Sequence, residues 1–181
     1  MARARTGEQR AERRGRRAEI TDPAPVMEAA AMFLAVRPRS VAETRRRLRH
    51  LGYPHPLVDR VVDRLVEMEY LDDEAFARAW VESRDRARPR GETALRRELA
   101  LKGVPREVAD AILAERAASG DQPVDFEGAR RLLERRRAAL EREADPARRR
   151  QTAYRLLAAN GFDPQVCSEE SAAFVRQIPE E

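Results

Sequence analysis

An internal repeat with a spacing of 51 residues constrains the fold of this chain more than any other feature. When the sequence is shifted by 51 positions, Arg37-Pro38-Arg39-Ser40 aligns with Arg88-Pro89-Arg90-Gly91. The same shift also places Arg46 on Arg97, Leu48 on Leu99, Gly52 on Gly103, Pro54 on Pro105, Leu57 on Val108, Val61 on Ile112 and Val62 on Leu113. A third, weaker copy follows at a spacing of 58, with Leu99 on Leu157, Gly103 on Gly161 and Val108 on Val166. Because self-similarity at a fixed spacing is the signature of a repeat architecture, we predict three copies of one small unit.

Each copy has the composition and punctuation of three short helices. Good helix formers (Ala, Leu, Arg and Glu) dominate from Val26 onward, and Pro and Gly separate the segments. We predict nine helices, over about residues 25–36, 41–51, 55–69, 73–87, 91–102, 105–118, 125–143, 146–161 and 163–177. Caps are expected from Ser40 on the second helix, Asp72 or Asp73 on the fourth, Asp125 on the seventh and Asp163 on the ninth.

A glycine closes the second helix of each copy and determines how the unit packs. Glycine adopts the left-handed conformation at a helix end without the strain that a side chain would cause. The leucine four residues before it is expected to face inward and to meet the aliphatic residue five positions after it. Since two such short helices are too small to be stable alone, the first helix must complete each core. The residues expected to do so are Met32 and Phe33, then Phe76 and Trp80, then Phe126, Leu132, Leu133 and Leu140.

The predicted fold class is therefore all-α, an elongated, curved array of three tandem three-helix repeats that resemble helix-turn-helix units. The repeats are expected over residues 26–71, 72–120 and 121–181. Residues 1–25 carry seven arginines against four acidic residues and almost no large apolar side chain, so we predict a disordered, mobile basic arm there. A solvated tail and a nucleic-acid contact remain two open interpretations of that arm.

The positive charge of the chain is carried almost entirely by arginine. Lys+Arg number 36 against 32 Asp+Glu, the formal net charge is +4, and Lys102 is the only lysine. High-GC codon usage and a contact role both explain this bias, because the guanidinium group binds phosphate and carboxylate bidentately. The near balance of charges argues against binding by bulk charge, so any basic surface must be local.

The remaining composition excludes several classes of function. No phosphate-binding glycine motif or metal-ligand cluster occurs, and with two histidines and one cysteine a zinc site of the usual type cannot be assembled, so we predict no catalysis and no cofactor. Trp80 is interpreted as a core residue rather than a base-stacking platform, and Cys167 as an unreactive core residue. No apolar run approaches the ~20 residues that span a bilayer, and no export signal is visible, so we expect a cytoplasmic protein without a membrane partner. The third helices lack clustered Arg, Asn or Gln, which argues against sequence-specific base readout.

Three segments together resemble the bacterial RecX regulatory proteins. They are Arg37-Pro38-Arg39-Ser40 with Thr44-Arg45-Arg46-Arg47-Leu48 and Leu51-Gly52, then Tyr70-Leu71-Asp72-Asp73-Glu74 with Phe76, Trp80 and Ser83-Arg84, then Arg90-Gly91 with Leu95-Arg96, Glu98-Leu99 and Lys102-Gly103-Val104. The resemblance covers about residues 30–116 well and the third repeat weakly. It implies a cytoplasmic modulator, usually inhibitory, of the RecA recombinase, which lies in the helical groove of the RecA–single-stranded DNA filament. It also implies reduced ATPase and strand exchange, and so a place in the regulation of recombination, DNA repair and the SOS response.

The resemblance and the basic clusters lead to one prediction of function and two alternatives. We expect a monomer that contacts the RecA filament and the backbone of single-stranded DNA, with weak contact to duplex DNA at most. The interface candidates are Arg88, Arg90, Arg96 and Arg97 first, and Arg37, Arg39, Arg46 and Arg47 next. A helix-turn-helix-like protein that binds duplex DNA directly and a passive helical scaffold remain the alternatives.

Overall fold

The computed structural model describes residues 11–118 and 124–178, and every regular element in these ranges is an α-helix. In chain order they are α1 (residues 11–18), α2 (Ala24–Leu34), α3 (Val41–Leu51), α4 (His55–Glu67), α5 (Asp73–Ala87), α6 (Glu92–Lys102), α7 (Arg106–Ala118), α8 (Val124–Leu140), α9 (Pro146–Ala159) and α10 (Pro164–Arg176). All nine predicted helices are present, with ends that differ by at most three residues. The described residues thus contain ten helical segments rather than nine, because α1 was not predicted.

The prediction of a disordered arm is wrong for residues 11–18. Arg17 donates a hydrogen bond from Nη1 to the carbonyl oxygen of Leu51 at 3.3 Å, and its guanidinium lies 5.3 Å from the centre of the Tyr53 ring. The lack of large apolar side chains rules out an apolar face on this helix, but a backbone acceptor and an aromatic ring stabilise it through Arg17. Residues 1–10 of the predicted arm lie outside the described residues.

Three of the predicted caps are present. Ser40 accepts from the backbone N–H of Glu43 at 3.0 Å, and the Glu43 carboxylate reaches back to the Ser40 N–H at 3.4 Å, which completes a capping box. Asp72 caps α5 by accepting from the N–H groups of Glu74 and Ala75. Asp163 caps α10 by accepting from the N–H of Gln165 at 2.8 Å.

Asp125 does not have the predicted role. Helix α8 already begins at Val124, and the Asp125 carboxylate instead accepts from the N–H of Glu92 at 3.2 Å and from Arg116 Nη1 at 2.6 Å. Asp125 therefore links its helix to the N-terminus of α6 and to α7, a contact between residues too distant in sequence for a capping pattern to reveal.

The left-handed glycines and the buried leucines that the sequence predicts at these turns are confirmed. The three glycines have left-handed φ angles of 100°, 78° and 82°: Gly52, Gly103 and Gly161. The leucines four positions earlier are fully buried: Leu48, Leu99 and Leu157. Met32, however, is 69% exposed, and α2 completes its core with Val26 and Ala30 instead. Since successive helical residues are rotated by about 100°, Met32 points away from the face that Val26 and Ala30 share.

The described residues form two compact units. One comprises the chain up to Phe76 together with Lys102–Val104, and the other comprises Ala77–Leu101 together with the chain from Pro105 onward. The first has a core from α2, α3 and α4 that includes Val26, Leu48 and Val62, and the second includes a core from α8, α9 and α10. The repeat limits 26–71, 72–120 and 121–181 stay predictions, and the limit between residues 120 and 121 lies outside the described residues.

Candidate partner interface

The repeat aligns Arg45-Arg46 on α3 with Arg96-Arg97 on α6, and the first arginine of each pair has a structural role. Arg45 Nε lies 3.0 Å from the carboxylate of Asp59, and Arg96 Nε lies 2.8 Å from that of Asp110. Both partners lie on the third helix of the repeat and are themselves 51 residues apart. The hydrogen bonds that Arg96 donates to Asp110 and then to Glu92 raise its pKa. Arg96 thus ties α6 to α7, and its neutralisation would disturb the repeat itself.

The second arginine of each pair, Arg46 or Arg97, is available to a binding partner. Arg46 on α3 and Arg97 on α6 are exposed, and neither side chain makes an ion pair or hydrogen bond with the part of the chain that the structure describes. A rotation of about 100° separates them from Arg45 and Arg96, which turns them from the third helix toward solvent. Each of the two units therefore presents its own equivalent, uncommitted guanidinium group.

Arginines also gather around Phe33, in a group that we call the Phe33 cluster (Phe33, Arg37, Arg39 and Arg47). The guanidinium of Arg39 lies 4.0 Å from the centre of the Phe33 ring, and that of Arg47 lies 5.8 Å from it. Burial, followed by the nearby charge of Arg37, lowers the pKa of Arg39, because like charges and a partly dry environment disfavour the cation. The buried Nε of Arg39 has no hydrogen-bond partner among residues 11–118 and 124–178. The cluster thus holds positive charge that the described chain leaves uncompensated.

Glu43 is the acidic side chain paired with this cluster within the described ranges, and its charge is shared. Its carboxylate lies 3.4 Å from Arg37 Nη2 and 2.9 Å from Lys102 Nζ. Burial alone would raise the pKa of Glu43, but the hydrogen bond from Lys102 and the neighbouring cations hold it below its usual range. Met32 and Val36 are exposed on the same stretch of chain, by 69% and 76%. The surface near Phe33 therefore combines uncompensated cations with exposed apolar side chains.

In the second repeat the predicted arginines divide in the same way. Arg88 is exposed and its side chain has no polar partner in the described part of the chain. Arg90, by contrast, donates to Asn160 Oδ1 and lies 3.6 Å from Glu98. Arg90 and Arg96 are therefore held by the fold, and the predicted residues that remain free for a partner or partly so are Arg37, Arg39, Arg46, Arg47, Arg88 and Arg97.

Trp80 is anchored rather than offered as a stacking platform. Its Nε1–H donates to Glu98 Oε2 at 2.9 Å, and the guanidinium of Arg84 lies 4.4 Å from the ring centre while Nε of Arg84 binds the same carboxylate. Trp80 is half-buried, so it contributes to the packing of α5 on α6 as predicted, though less completely than a core residue would.

Two ion-pair networks escaped the sequence analysis. Arg116, 8% exposed at its side chain, binds Asp85 at 2.8 Å and Asp125. Arg130 pairs with the buried Glu170 at 3.0 Å. Glu170 lies four positions after Val166 on the inner face of α10, and a carboxylate at such a position signals that a cation must reach it.

A cavity of about 350 Å³ lies beside α5 and α7, but its charged walls are already paired, Arg78 with Glu115 at 2.8 Å and Arg116 with Asp85. Cys167 is buried, and burial followed by the charge of Asp163 raises the pKa of its thiol, which makes it a poor nucleophile. Within the described ranges no three potential metal ligands come together. No described helix is both long and apolar enough to cross a bilayer.

The fold and its glycine turns define an all-helical protein of tandem three-helix domains, and comparisons with known proteins agree. Residues 27–65 match the family description "RecX, first three-helix domain" and residues 72–113 match "RecX, second three-helix domain". The chain is 33% identical over 150 residues to the regulatory protein RecX of Chlorobium limicola, and this alignment covers 82% of this chain and 88% of the relative. It is 43% identical over 90 residues to RecX of Mycobacterium sp. strain JLS, about half of each protein.

Solved structures show the same fold. The crystal structure of RecX from Lactobacillus salivarius superposes with a TM-score of 0.73 at 16% identity, over 86% of this chain and 97% of that one. A second crystal structure, of a regulatory protein RecX, superposes with a TM-score of 0.72 at 20% identity, over 83% and 71%. The chain belongs to the RecX family of regulatory proteins, as its motifs indicated, and this family supports a regulatory role tied to RecA.

Proposed function

We propose that this protein binds the RecA–single-stranded DNA filament in its helical groove and inhibits the ATPase and strand-exchange activities of the filament. It acts as a cytoplasmic monomer without a cofactor or catalysis of its own, and it thereby modulates recombination, DNA repair and the SOS response. Occupation of the groove bridges adjacent RecA protomers and blocks the motions of ATP turnover or the growth of the filament.

The observation that carries this proposal is the equivalent exposure of Arg46 and Arg97. A filament repeats the same surface at regular intervals, so a binder made of repeats gains most when each repeat presents the same contact group. In both repeats the neighbouring arginine is committed to an aspartate, while Arg46 and Arg97 stay free. The repeat thus preserves a guanidinium group for which the described fold has no use.

The chemistry of the free arginines suits both components of the filament. Guanidinium groups bind DNA phosphate and protein carboxylate bidentately, and they remain charged at every physiological pH. The Phe33 cluster adds an aromatic ring among arginines, and the exposed apolar side chains of Met32 and Val36 lie on the same stretch of chain, which favours contact with protein. We assign the phosphate contacts to Arg46, Arg88 and Arg97, and a contact with an acidic RecA surface to the Phe33 cluster.

The test is the DNA-stimulated ATPase of the matching RecA, titrated with this protein and with a variant that replaces Arg46, Arg47, Arg88 and Arg97 by Gln. We expect the wild-type protein to inhibit and the variant to need at least about tenfold more protein for half-inhibition, since four contacts of ~0.5–1 kcal/mol each are lost. The four residues are exposed, so circular dichroism should show an unchanged fold.

A matched control removes the same charge elsewhere. Arg60, Arg131, Arg136 and Arg142 are exposed and make no ion pair with the described residues, and their replacement by Gln should change half-inhibition by less than about twofold. Equal losses in both variants would show that bulk charge carries the effect and would overturn the site assignment. Absence of inhibition by the wild-type protein, together with tight binding to duplex DNA without RecA, would overturn the proposed function.

A further inference from the structure

The glycine turns at Gly103 and Gly161 both serve as places where another helix is joined, and we call each of them a glycine joint (the glycine with the carbonyl of the residue before it). At Gly103 the preceding carbonyl, that of Lys102, accepts a hydrogen bond from Ser40 Oγ at 2.6 Å. A Cβ atom on Gly103 would overlap the side chain of Ala42. The N-terminus of α3 is therefore seated directly on this turn.

The joint at Gly161 repeats this geometry one repeat later. The preceding carbonyl, that of Asn160, accepts from the backbone N–H of Gly91 at 3.1 Å. A Cβ atom on Gly161 would lie 2.5 Å from the Cβ and N atoms of Ala94. The N-terminus of α6 sits on this turn as the N-terminus of α3 sits on the other.

An aspartate completes each joint. Asp73 accepts from the N–H of Val41 at 2.9 Å, and Asp125 accepts from the N–H of Glu92 at 3.2 Å. Val41 and Glu92 occupy equivalent positions in their repeats, as do Ser40 and Gly91. The joint is thus a recurrent surface at which a helix closely approaches the glycine and donates a hydrogen bond to the carbonyl before it.

The turn at Gly52 offers the same surface in the first repeat, and α1 lies on it. A Cβ atom on Gly52 would be 3.0 Å from the Cα and O atoms of Arg14. The preceding carbonyl, that of Leu51, accepts from Arg17 Nη1 at 3.3 Å, and the Arg17 guanidinium covers the Tyr53 ring, which is 5% exposed.

We propose that the Gly52 turn is a third glycine joint and that its partner is α1 of the same chain, which caps the repeat array. Two of the three features of the other joints, close approach of a helix to the glycine and a donor to the preceding carbonyl, recur at Gly52. Repeat proteins need their terminal surfaces covered by an element with a polar outer face. α1 meets this need, because Arg13 and Arg16 on it are exposed while Arg17 is half-buried.

Gly15 makes the cap testable without a change at the joint. A Cβ atom on Gly15 would contact nothing within 4 Å, so Gly15→Ala fits the docked helix and removes a residue of low helix propensity. Gly15→Pro breaks the helix, because proline lacks the N–H and clashes with the preceding turn.

The experiment is amide hydrogen exchange of the full chain, read on residues 11–18 and on the turn 51–53. We expect Gly15→Ala to slow exchange of residues 11–18 by about fivefold. Gly15→Pro should remove their protection and accelerate exchange of the turn by at least about threefold. Arg17→Ala should accelerate exchange of residues 11–18 by about fivefold, since a hydrogen bond and a cation–π contact are lost.

Arg13→Ala is the matched control for Arg17→Ala. It makes the same substitution at an exposed position of the same helix and should change the hydrogen-exchange rates of residues 11–18 by less than about twofold. Equal effects of Arg13→Ala and Arg17→Ala would overturn the proposal. Exchange of residues 11–18 at the rate of an unstructured peptide in the wild-type chain, or an unchanged turn in Gly15→Pro, would also overturn it. None of these readouts depends on RecA, so the result is independent of the proposed function.

Discussion

At Gly103 and Gly161 the backbone of one turn comes so close to another helix that no side chain fits between them. Both residues also have φ angles near 80°, in the left-handed region where an L side chain is strained. At Gly128, in the middle of α8, an added Cβ would instead meet Phe162 and Pro89 at 3.4 and 3.5 Å, which is ordinary contact. Gly128 and Gly161, which belong to the same unit, therefore differ in what an added methyl group would do.

We expect Gly161→Ala to destabilise the protein by ~2–4 kcal/mol, from a left-handed strain of ~1–2 kcal/mol and the overlap with Ala94. Gly128→Ala should be neutral or stabilise by up to ~1 kcal/mol, because it raises helix propensity. Urea unfolding followed by circular dichroism measures both variants. Equal losses in the two variants would show that the joint at Gly161 is not closely packed.

Glu43 gives the first unit a defined response to acid. Its folded-state pKa is held below the ordinary value, so its contribution to stability is fully present above about pH 4.5 and is lost as the pH falls through the lowered pKa. We expect Glu43→Gln to be ~1 kcal/mol less stable than wild type at pH 7, with a deficit that shrinks as the pH falls below about 4.5. The control at both pH values is Glu82→Gln, because the Glu82 carboxylate is 60% exposed and lies 3.8 Å from Arg86. A Glu43→Gln deficit that persists undiminished at pH 3 would contradict this prediction.

At the scale of helices, ion pairs connect helices of the second unit, and the best example is centred on Arg116. Arg116 on α7 binds Asp85 on α5 with two hydrogen bonds of 2.9 and 2.8 Å and also reaches Asp125 on α8. Burial would lower the pKa of Arg116, but the hydrogen bonds that Arg116 donates to Asp85 and Asp125 outweigh this effect and raise the pKa. One guanidinium therefore neutralises two carboxylates that are only 21% and 17% exposed.

We expect Arg116→Ala to cost ~2–3 kcal/mol, because it leaves the two carboxylates of Asp85 and Asp125 half-desolvated and close together without a cation. Arg106→Ala is the comparison, since its side chain is 85% exposed and its pair with Asp110 is 3.4 Å long, and it should cost less than ~0.5 kcal/mol. Thermal unfolding monitored at 222 nm distinguishes them. A loss at Arg116 no larger than that at Arg106 would mean that water compensates the two aspartates.

At the scale of the whole molecule, the positive and negative charges nearly cancel, although the free Arg46, Arg88 and Arg97 have no acidic partner among the described residues. The formal net charge is +4 in 181 residues, so long-range attraction to a polyanion is weak and local contacts must determine binding. Phosphate contacts make affinity depend on salt in proportion to their number, whereas apolar contacts with protein do not.

The salt dependence of filament binding should therefore count the phosphate contacts. We expect the Arg46, Arg47, Arg88 and Arg97→Gln variant to reduce the slope of log K against log salt by about 0.7 for each arginine that contacts single-stranded phosphate. The variant at Arg60, Arg131, Arg136 and Arg142 should leave the slope unchanged. Fluorescence anisotropy of a labelled RecA filament between about 50 and 200 mM salt measures both, and identical slopes in all three proteins would assign the arginines to RecA or to solvent rather than to DNA.

Much of this architecture was predictable from the sequence because its determinants are local. The glycine that ends a helix, the leucine four residues before it and the capping box at Ser40 each act within one or two turns, and the structure confirms them. The repeat spacing extended these local signals to all three predicted repeats, and the motifs indicated the family.

The sequence by itself therefore determined helices α2 to α10, the glycine turns and the family of this protein. Only the tertiary structure decided which arginines are free, that residues 11–18 form a helix on the Gly52 turn, and that Asp125 serves α6 and Arg116 instead of its own helix. The physical reason is distance along the chain: Arg90 meets Asn160 across 70 residues and Arg17 meets Leu51 across 34. An arginine has the same local pattern whether a remote carboxylate holds it or not, and only packing brings the partner to it.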